Sequence, residues 1–323
     1  MSVAGSGPAV VAEIVRSGFV EGRHHGSVVA LDAAGEVAWS VGDGEGPILP
    51  RSCNKPMQAV AMVRSGLDLP PELLALASAS HSAEEFHLAG VRRILETAGL
   101  DESALQCPPA WPIDEQERDA LVAAGGEALP IRMDCSGKHA AMLATCVANG
   151  WPTGSYLEPG HPLQQQVAGV FTELTGEPVA HVAVDGCGAP LLGTSLTGLA
   201  RAFRALAVAT SGAEALVADA IRAHPSYVSG TRRDELQLLQ AVPGAIAKAG
   251  AEACYAVALP DGRSFALKID DGAGRARPVV MAAALERAGV LTEPGVAADA
   301  VRATGRHVLR GGGEPVGAIQ AVL

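Results

Sequence analysis

The segment RSCNKPMQAV, residues 51–60, places a serine three positions before a lysine. Residues three apart share a face of a helix, and Pro56 is tolerated in the first helical turn. A serine hydroxyl becomes a nucleophile when a neighbouring base accepts its proton, and a neutral lysine can be that base. Ser52 and Lys55 are therefore candidates for a nucleophile and its base. A capping serine followed by a solvated lysine is the simpler alternative.

Two later segments supply further hydroxyls and an amine. SASHS, residues 78–82, ends where a helix is predicted to begin, with Ser82 and Glu85 spaced as a capping box. ALKIDDG, residues 266–272, puts Lys268 in a predicted strand. This order resembles that of serine β-lactamases and penicillin-binding proteins, where S-x-x-K is followed by a serine loop and a late lysine. Because Ser80-His81-Ser82 and Lys268-Ile269-Asp270 replace the usual S-D-N and K-T-G, β-lactam hydrolysis is not our first prediction. A lysine facing water from an edge strand is the alternative for Lys268.

Two cysteine segments offer metal ligands. DCSGKHAA, residues 134–141, begins a predicted helix, and VDGCGAP, residues 184–190, is a glycine-rich loop after a predicted strand. Thiolates and an imidazole are typical zinc ligands, but no C-x-x-C pair is present. Small buried thiols are the simpler alternative, and we expect Cys53, Cys107, Cys146 and Cys254 to be packing residues. Cys135 with His139 as its base is a further alternative, which would leave the serine–lysine pairs without a role.

The elements that must position these residues are strands near both termini and helices between them. Residues 9–18 and 26–41 are β-rich, and residues 253–272 predict a hairpin with Pro260-Asp261-Gly262 at its turn. Helical spacing recurs between residues 52 and 241, and one more helix is predicted near residues 277–288. We predict an α+β fold with an antiparallel sheet built from both termini and an inserted helical subdomain. The chain, 1–323, would be a single catalytic domain with a sheet lobe (1–50 and 252–323) and a mainly helical lobe (51–251).

Composition excludes other classes of protein. The net charge is −11 and only 3% of residues are aromatic, which argues against a nucleic-acid-binding surface. The first residues lack the basic and apolar regions of a secretory signal, and no apolar run is long enough to span a membrane. Six scattered cysteines without an export signal favour free thiols over disulfides. We therefore expect a cytoplasmic protein.

Taken together, RSCNKP, ASHS, CSGKH, HPLQ after a Tyr-x-x-Pro, VDGCGAP, ALKIDDG and PVGAI occur in one order that is specific as a set. The chain resembles the serine–lysine, zinc-binding L-asparaginase family (asparaginase II), which is unrelated to the threonine-nucleophile asparaginases. The resemblance runs from about Val15 to the C-terminus. It implies a fold similar to serine β-lactamases and glutaminases, and a homodimer.

The resemblance also implies a role for each matching residue. Ser52 would be the nucleophile with Lys55 as its partner, and Ser80 and Lys268 would form a second serine–lysine pair. A zinc ion would be bound by Cys135, Lys138 and Cys187, with water completing the tetrahedron. The residues implied to lie near the amino and carboxylate groups of the substrate are Arg51, His139, Asp185 and Gly188.

We accordingly expect an L-asparaginase that hydrolyses the side-chain amide of L-asparagine to L-aspartate and ammonia through an acyl-serine intermediate. A glutaminase or other serine amidase on the same fold is the nearest alternative. A non-catalytic protein that binds zinc or an amino acid is the alternative from another class. Two serines and two lysines in catalytic order favour an enzyme, since binding alone does not require them.

Overall fold

The computed structural model describes residues 7–323, so the first part of the N-terminal segment examined for a signal lies outside the described residues. The strands of this part of the chain are β1 Ala9–Arg16, β2 Phe19–Leu31, β3 Val37–Val41, β4 Val182–Val184, β5 Pro190–Leu192, β6 Ile246–Gly250, β7 Cys254–Ala258, β8 Ser264–Ile269, β9 His307–Gly311 and β10 Glu314–Ala321. The helices are α1 Lys55–Arg64, α2 Pro71–Ala77, α3 Glu85–Thr97, α4 Glu115–Ala123, α5 Ser136–Ala148, α6 Pro162–Thr175, α7 Leu196–Val208, α8 Gly212–Ala223, α9 Pro225–Val228, α10 Asp234–Ala241, α11 Arg277–Arg287 and α12 Ala298–Thr304.

The main sheet joins strands from both ends of the chain. Its order is β6-β7-β8-β2-β1-β10-β9, β3 pairs with β2 beside this path, and all of these pairings are antiparallel. The central pairing sets Gly26 of β2 opposite Ile269 of β8. A side chain at Gly26 would overlap the carbonyl oxygen of Lys268, so a glycine is required for this close approach.

The chain forms two compact units. The sheet unit comprises residues 7–53, Thr194–Val208 and Gln237–Leu323, and the helical unit comprises Asn54–Gly193 and Ala209–Leu236. In the sheet unit every residue of β7 is buried, which requires cover on both faces of the strand. Both α7 and α11 pack on β7 and β8 and provide that cover.

The helical unit is organised around α5. Residues Ser136 to Cys146 of this helix are all buried, and it packs against α1, α2, α3 and α6. A helix that is buried on all sides needs small or apolar residues around its whole circumference, and the sequence SGKHAAMLATC largely meets this condition. Lys138 and His139 are the exceptions, and both are buried. Charged or polar groups at such positions require partners.

The predicted fold class is confirmed: an antiparallel sheet draws on both termini, and a mainly helical segment lies between them in sequence. Within residues 7–323, no helix is both long enough and apolar enough to cross a bilayer. The six cysteines are free and buried, as expected. One local expectation was wrong, because α3 begins at Glu85 without a side-chain cap and the Ser82 hydroxyl instead donates to the carbonyl oxygen of Ser229.

Candidate active site

In the sheet unit, the segment that carries Ser52 is attached to the end of β6. Ser52 lies in a short 3-10 helix, Arg51–Asn54, which leads into α1. The Cys53 thiol donates to the carbonyl oxygen of Lys248 at 3.0 Å. A Cβ at Gly250 would lie 2.7 Å from the carbonyl oxygen of Pro50 and 3.2 Å from the Ser52 nitrogen. The absence of a side chain at Gly250 therefore allows the two backbones to approach closely.

Lys268 lies on the strand that pairs with the same hairpin. It lies near the end of β8, paired with Ser27 of β2 and with Cys254, the first residue of β7. Its Nζ donates to the carbonyl oxygen of Ile269 at 2.5 Å, and the side chain is half-buried rather than extended into water. The hairpin between β6 and β7 thus adjoins both Ser52 and the strand that carries Lys268.

Backbone strain is concentrated at this hairpin. Arg51, Glu252 and Ala253 are non-glycine residues with φ of 52°, 56° and 53°. A left-handed backbone at a non-glycine residue reduces the stability of the folded state by on the order of 1–3 kcal/mol. Arg51 Nη1 lies 3.8 Å from Glu252 Oε1, but an exposed ion pair returns only about 0–1 kcal/mol. This ion pair by itself therefore does not offset the strain of three residues held in this conformation beside Ser52.

In the helical unit, Lys55 and Ser80 are in direct contact. Lys55 is fully buried, and its Nζ donates to Ser80 Oγ at 2.9 Å and to the carbonyl oxygen of Ala79 at 2.5 Å. Asp134 Oδ2 lies 3.6 Å from the same nitrogen. The resemblance joins Ser80 to Lys268, whereas the hydrogen bond within this unit joins Ser80 to Lys55.

Charge around Lys55 decides its protonation. Burial by itself lowers the pKa of this amine, but the Cys135 sulfur and the Asp134 carboxylate outweigh burial and the pKa is raised. A raised pKa favours the ammonium form of Lys55, whereas a base must be neutral. The effect of Asp134 on the pKa of Lys55 was not predicted from the sequence, although Asp134 directly precedes Cys135 in the motif DCSGKHAA.

The loop that carries Ser80 is fixed by neighbouring chain segments. The Ser80 nitrogen donates to Val228 O and the His81 nitrogen donates to Asp134 O, both at 3.0 Å. The Glu84 carboxylate accepts hydrogen bonds from Thr231, one from its backbone nitrogen at 2.8 Å and one from its hydroxyl at 2.6 Å. The backbone position of Ser80 is thus fixed by contacts on both sides of the loop.

The two cysteine segments converge in the helical unit. Cys135 is the N-terminal residue bounding α5, Lys138 lies in its first turn, and Cys187 lies in the turn between β4 and β5. Lys138 Nζ donates to Cys187 Sγ at 3.1 Å, and all three side chains are buried. The structure therefore brings together the three residues predicted to bind zinc.

Their charges are strongly coupled. A hydrogen bond from the Cys135 thiol, together with the Lys138 ammonium, lowers the pKa of Cys187 far below that of an ordinary thiol, although burial opposes the shift. The same hydrogen bond and burial raise the pKa of Cys135 well above its usual value. Burial lowers the pKa of Lys138, but the two sulfur atoms outweigh it and raise the pKa. These shifts favour a thiolate at Cys187 next to an ammonium at Lys138.

This donor set fits a zinc ion on one condition. Among residues 7–323, no group of three or more His, Cys, Asp or Glu side chains is arranged to hold a metal. Two thiols and an amine remain as donors, so the Lys138 amine must act as a ligand and lose its proton. A cation that takes the place of the ammonium beside Cys187 would satisfy the same charges. The geometry therefore fits zinc if Lys138 is the third protein ligand.

The remaining predicted substrate residues of the helical unit surround this cluster. His139 Nδ1 lies 2.7 Å from the Tyr156 hydroxyl, and burial lowers the pKa of His139 even though Cys187 opposes the shift. The Asp185 carboxylate accepts a hydrogen bond from the Gly186 nitrogen at 2.9 Å. Gly188, with φ of 88°, closes the turn by donating to Asp185 O at 2.8 Å. Tyr156, the tyrosine of the Tyr-x-x-Pro motif, was not recognised as a partner of His139.

Comparisons with solved structures give distant likenesses. A β-lactamase from Mycobacterium bovis is 15% identical, with 81% of this chain and 94% of that chain covered at a TM-score of 0.45. EstCE1, a hydrolase with promiscuous acyltransferase activity, is 15% identical, with 77% and 91% covered at 0.39. A Bacillus glutaminase is 11% identical, with 76% and 83% covered at 0.29. These TM-scores are below 0.5, so no functional assignment is drawn from them.

A comparison with curated proteins finds no match. The family model described as L-asparaginase II matches residues 12–321, nearly the whole chain. This match confirms the family that the ordered motifs predict, and an asparaginase is a hydrolase of an amide bond. The chain belongs to the L-asparaginase II family and is a hydrolase acting on amides.

Proposed function

We propose that this protein is an L-asparaginase that converts L-asparagine to L-aspartate and ammonia through an acyl-serine intermediate. The observation that supports the proposal most is the hydrogen bond between the buried Lys55 amine and Ser80 Oγ. Burying a lysine costs free energy unless it is paired, and a surface capping motif would leave Lys55 in water. The family match restricts the chemistry to hydrolysis of amides.

The proposed reaction has two stages. Ser52 Oγ attacks the side-chain amide carbon while a lysine of the two serine–lysine pairs takes the hydroxyl proton. The carbon–nitrogen bond then breaks, and ammonia leaves with that proton. Water attacks the resulting ester, which restores the Ser52 hydroxyl and releases aspartate. If Lys55 is the base, it must first release its own proton, since its raised pKa favours the ammonium form.

Backbone donors would stabilise the oxyanion formed in each stage. Ser52 lies near the N-terminal end of α1, where N–H groups lack partners within the helix. Such donors contribute most when they are held rigidly before the reaction. The anchoring of this segment through Cys53 and Gly250 favours that rigidity.

We further propose one zinc ion per chain, held by Cys135, Lys138 and Cys187. Bound zinc would supply a fixed positive charge that orients substrate and braces the pocket. Arg51, His139, Asp185 and Gly188 are proposed to contact the substrate. No proton transfer in the proposed reaction depends on the metal.

We also propose that the protein is a cytoplasmic homodimer. Both parts of this proposal depend on the family resemblance and on composition. Light scattering coupled to size-exclusion chromatography should give twice the 32.7 kDa mass of the chain. A monomer over a broad concentration range would contradict the dimer.

The experiment that tests the function measures ammonia release from L-asparagine, L-glutamine and a panel of simple amides. Wild-type protein should act on L-asparagine, and Ser52→Ala should abolish turnover. Ser40→Ala is the matched control, because Ser40 is exposed in β3 and has no proposed role. Undiminished turnover by Ser52→Ala would eliminate the nucleophile assignment, and preference for L-glutamine would correct the substrate.

A further inference from the structure

Glu252 stands out in the sheet unit because its carboxylate is exposed while its backbone is held in a conformation that disfavours side chains. Its φ is 56°, the following residue has φ of 53°, and its side chain is 62% exposed. Neither residue is glycine, so the left-handed backbone is maintained by the surrounding structure rather than by intrinsic preference. Strained residues that persist in a folded protein are concentrated at functional sites.

The carboxylate of Glu252 lies between the two segments that carry proposed catalytic groups. On one side is Arg51, the residue before Ser52, with Nη1 at 3.8 Å from Oε1. On the other side is Gly272, in the turn after the strand that carries Lys268, where a Cβ would overlap Oε2. A side chain at Gly272 would thus displace the carboxylate. Two strained residues and one glycine together determine where this charge lies.

The Arg51–Glu252 pair is close but not hydrogen-bonded. A direct charge-assisted hydrogen bond between a guanidinium and a carboxylate is about 2.7–2.9 Å long. At 3.8 Å the two opposite charges are held side by side. An arginine matches a carboxylate in shape and charge, and a glutamate matches an ammonium. A zwitterionic α-amino acid carries both of these groups on one carbon atom.

We propose that Arg51 and Glu252 bind the α-amino acid end of the substrate, with Arg51 on the α-carboxylate and Glu252 on the α-ammonium. This proposal rests on the proposed function and narrows its substrates to free amino-acid amides. Amides that lack the ammonium group would be poor substrates. The exposed carboxylate of Glu252 would be the residue that makes this distinction.

Asp185 is the other acidic residue that could bind the ammonium group. Its carboxylate already accepts a hydrogen bond from the Gly186 nitrogen and contributes charge to the Lys138 cluster. Its carboxylate therefore also stabilises the turn between β4 and β5. Glu252 differs because its carboxylate is aimed at Arg51, next to the proposed nucleophile.

The test compares L-asparagine with succinamate, which has the same side-chain amide and carboxylate but no ammonium group. Glu252→Gln keeps the size of the side chain and removes its charge. We expect it to raise KM for L-asparagine by about tenfold or more, the usual effect of losing a hydrogen bond to a charged group. KM for succinamate should change by less than about twofold, because that substrate has no ammonium to bind. Gly272→Ala should reduce the preference for L-asparagine over succinamate, because the added Cβ displaces the Glu252 carboxylate.

Glu286→Gln is the matched control, since it also removes an exposed glutamate from an ion pair, with Arg302 at 2.7 Å, within the sheet unit. It should leave the preference between the two substrates unchanged. Equal effects of Glu252→Gln on both substrates would indicate a structural role and overturn the proposal. Loss of the preference in Asp185→Asn but not in Glu252→Gln would also overturn it.

Failure of the proposed function would be recognised separately, as an absence of turnover of every amide by wild-type protein. Calorimetric titration with L-aspartate and succinate then tests the same recognition without catalysis. Preferential binding of L-aspartate by wild type that is lost in Glu252→Gln supports the proposal. Equal binding of the two ligands by wild type contradicts it.

Discussion

At the scale of single residues, two buried histidines in the helical unit show how the fold fixes a charge state. His81 Nε2 donates to Ser136 Oγ at 2.8 Å, and the Ala83 nitrogen donates to His81 Nδ1 at 3.1 Å. The Ser136 hydroxyl itself donates to Ile131 O, so it accepts from His81. Both ring nitrogens are therefore occupied in the neutral tautomer. Burial, followed by the charge of His87, lowers the pKa of His81.

His87 gives a measurable pH dependence of stability. Burial lowers its pKa from 6.5 to about 4, although Ser226 and Glu84 oppose the shift. Between these two pKa values the unfolded chain binds a proton that the folded protein does not. The free energy of unfolding therefore falls as the pH is lowered from about 6.5 to about 4. From pH 7 to pH 5, we expect His87 alone to reduce the free energy of unfolding by about 2 kcal/mol.

The measurement is urea denaturation of wild type and His87→Gln at pH 7 and pH 5. The variant retains an amide donor for Ser226 O, the acceptor of His87 Nε2 at 3.1 Å, but it does not titrate. Contributions from carboxylates are common to both proteins and cancel in the difference. Wild type should lose about 2 kcal/mol more than the variant. Parallel losses would show that folding does not lower the pKa of His87.

Site residues with a characteristic spacing could be predicted from the sequence, whereas residues that reach the site only through long-range tertiary contacts could not. Ser52 and Lys55 were recognised because three-residue spacing has a meaning on a helix. Glu252 lies in the turn of an otherwise ordinary hairpin, and no local pattern shows that Arg51 is 3.8 Å away. The contact between Asp134 and Lys55, which lies 79 positions earlier, could not be predicted, because no local sequence pattern indicates it.

At the scale of elements, the Ser80 loop depends on a glycine in a distant segment. Gly230 has φ of 141°, and a Cβ there would overlap Ser82 Oγ and approach Glu84 Oε1 to 2.8 Å. The same segment accepts the hydrogen bond from the Ser80 nitrogen through Val228. A side chain at Gly230 would therefore separate two segments whose contact determines the position of Ser80.

We expect Gly230→Ala to reduce the free energy of unfolding by about 2 kcal/mol or more and to lower amidase activity. The matched control is Gly169→Ala on the exposed face of α6, where a Cβ meets no atom within 4 Å. That change should stabilise the protein by about 0.5–1 kcal/mol, because alanine is preferred in helices. Thermal unfolding of the two variants measures both effects. A Gly230→Ala protein as stable and active as wild type would contradict this role.

Periodicity predicted most of the helices, while the start of α3 needed three-dimensional information. Ser82 and Glu85 have the spacing of a capping box, but the loop that contains Ser82 is held by Ser229 and Thr231. A capping hydroxyl must accept a hydrogen bond from an N–H group of the first helical turn, whereas α3 begins without a side-chain cap and the Ser82 hydroxyl faces Ser229. Ala83, with φ of 60°, bends the chain between the loop and α3. Tertiary contacts therefore override the local capping preference.

At the scale of the whole molecule, the order of the motifs along the chain carried more information than composition. Composition excluded classes of protein, and the motifs in order predicted the family that the match over residues 12–321 confirms. The strands at both ends predicted one sheet. The pairing β8-β2 could not be predicted, because no local signal specifies which strands of the two termini become neighbours.

Bound zinc should stabilise the helical unit as a whole. A ligand that binds only the folded protein adds about 4 kcal/mol when its free concentration is a thousand times Kd. Elemental analysis should find about one zinc per chain, and a chelator should lower Tm. Cys187→Ala should contain no zinc and should not respond to the chelator. Cys146→Ala, which removes another buried thiol from α5, should behave as wild type.

Two results would contradict the zinc site. One is wild-type protein without zinc that takes up none when the metal is added. The other is normal zinc content in Cys187→Ala, which would place the ion elsewhere.

The most direct test of the acyl-serine mechanism is rapid acid quenching of the protein during turnover of L-asparagine, followed by peptide mass spectrometry. The mechanism predicts that the peptide containing Ser52 gains the mass of one aspartyl acyl group, and that the gain is absent from Ser52→Ala. The same gain located on Cys135, or on any other side chain while Ser52 stays unmodified, would contradict the account.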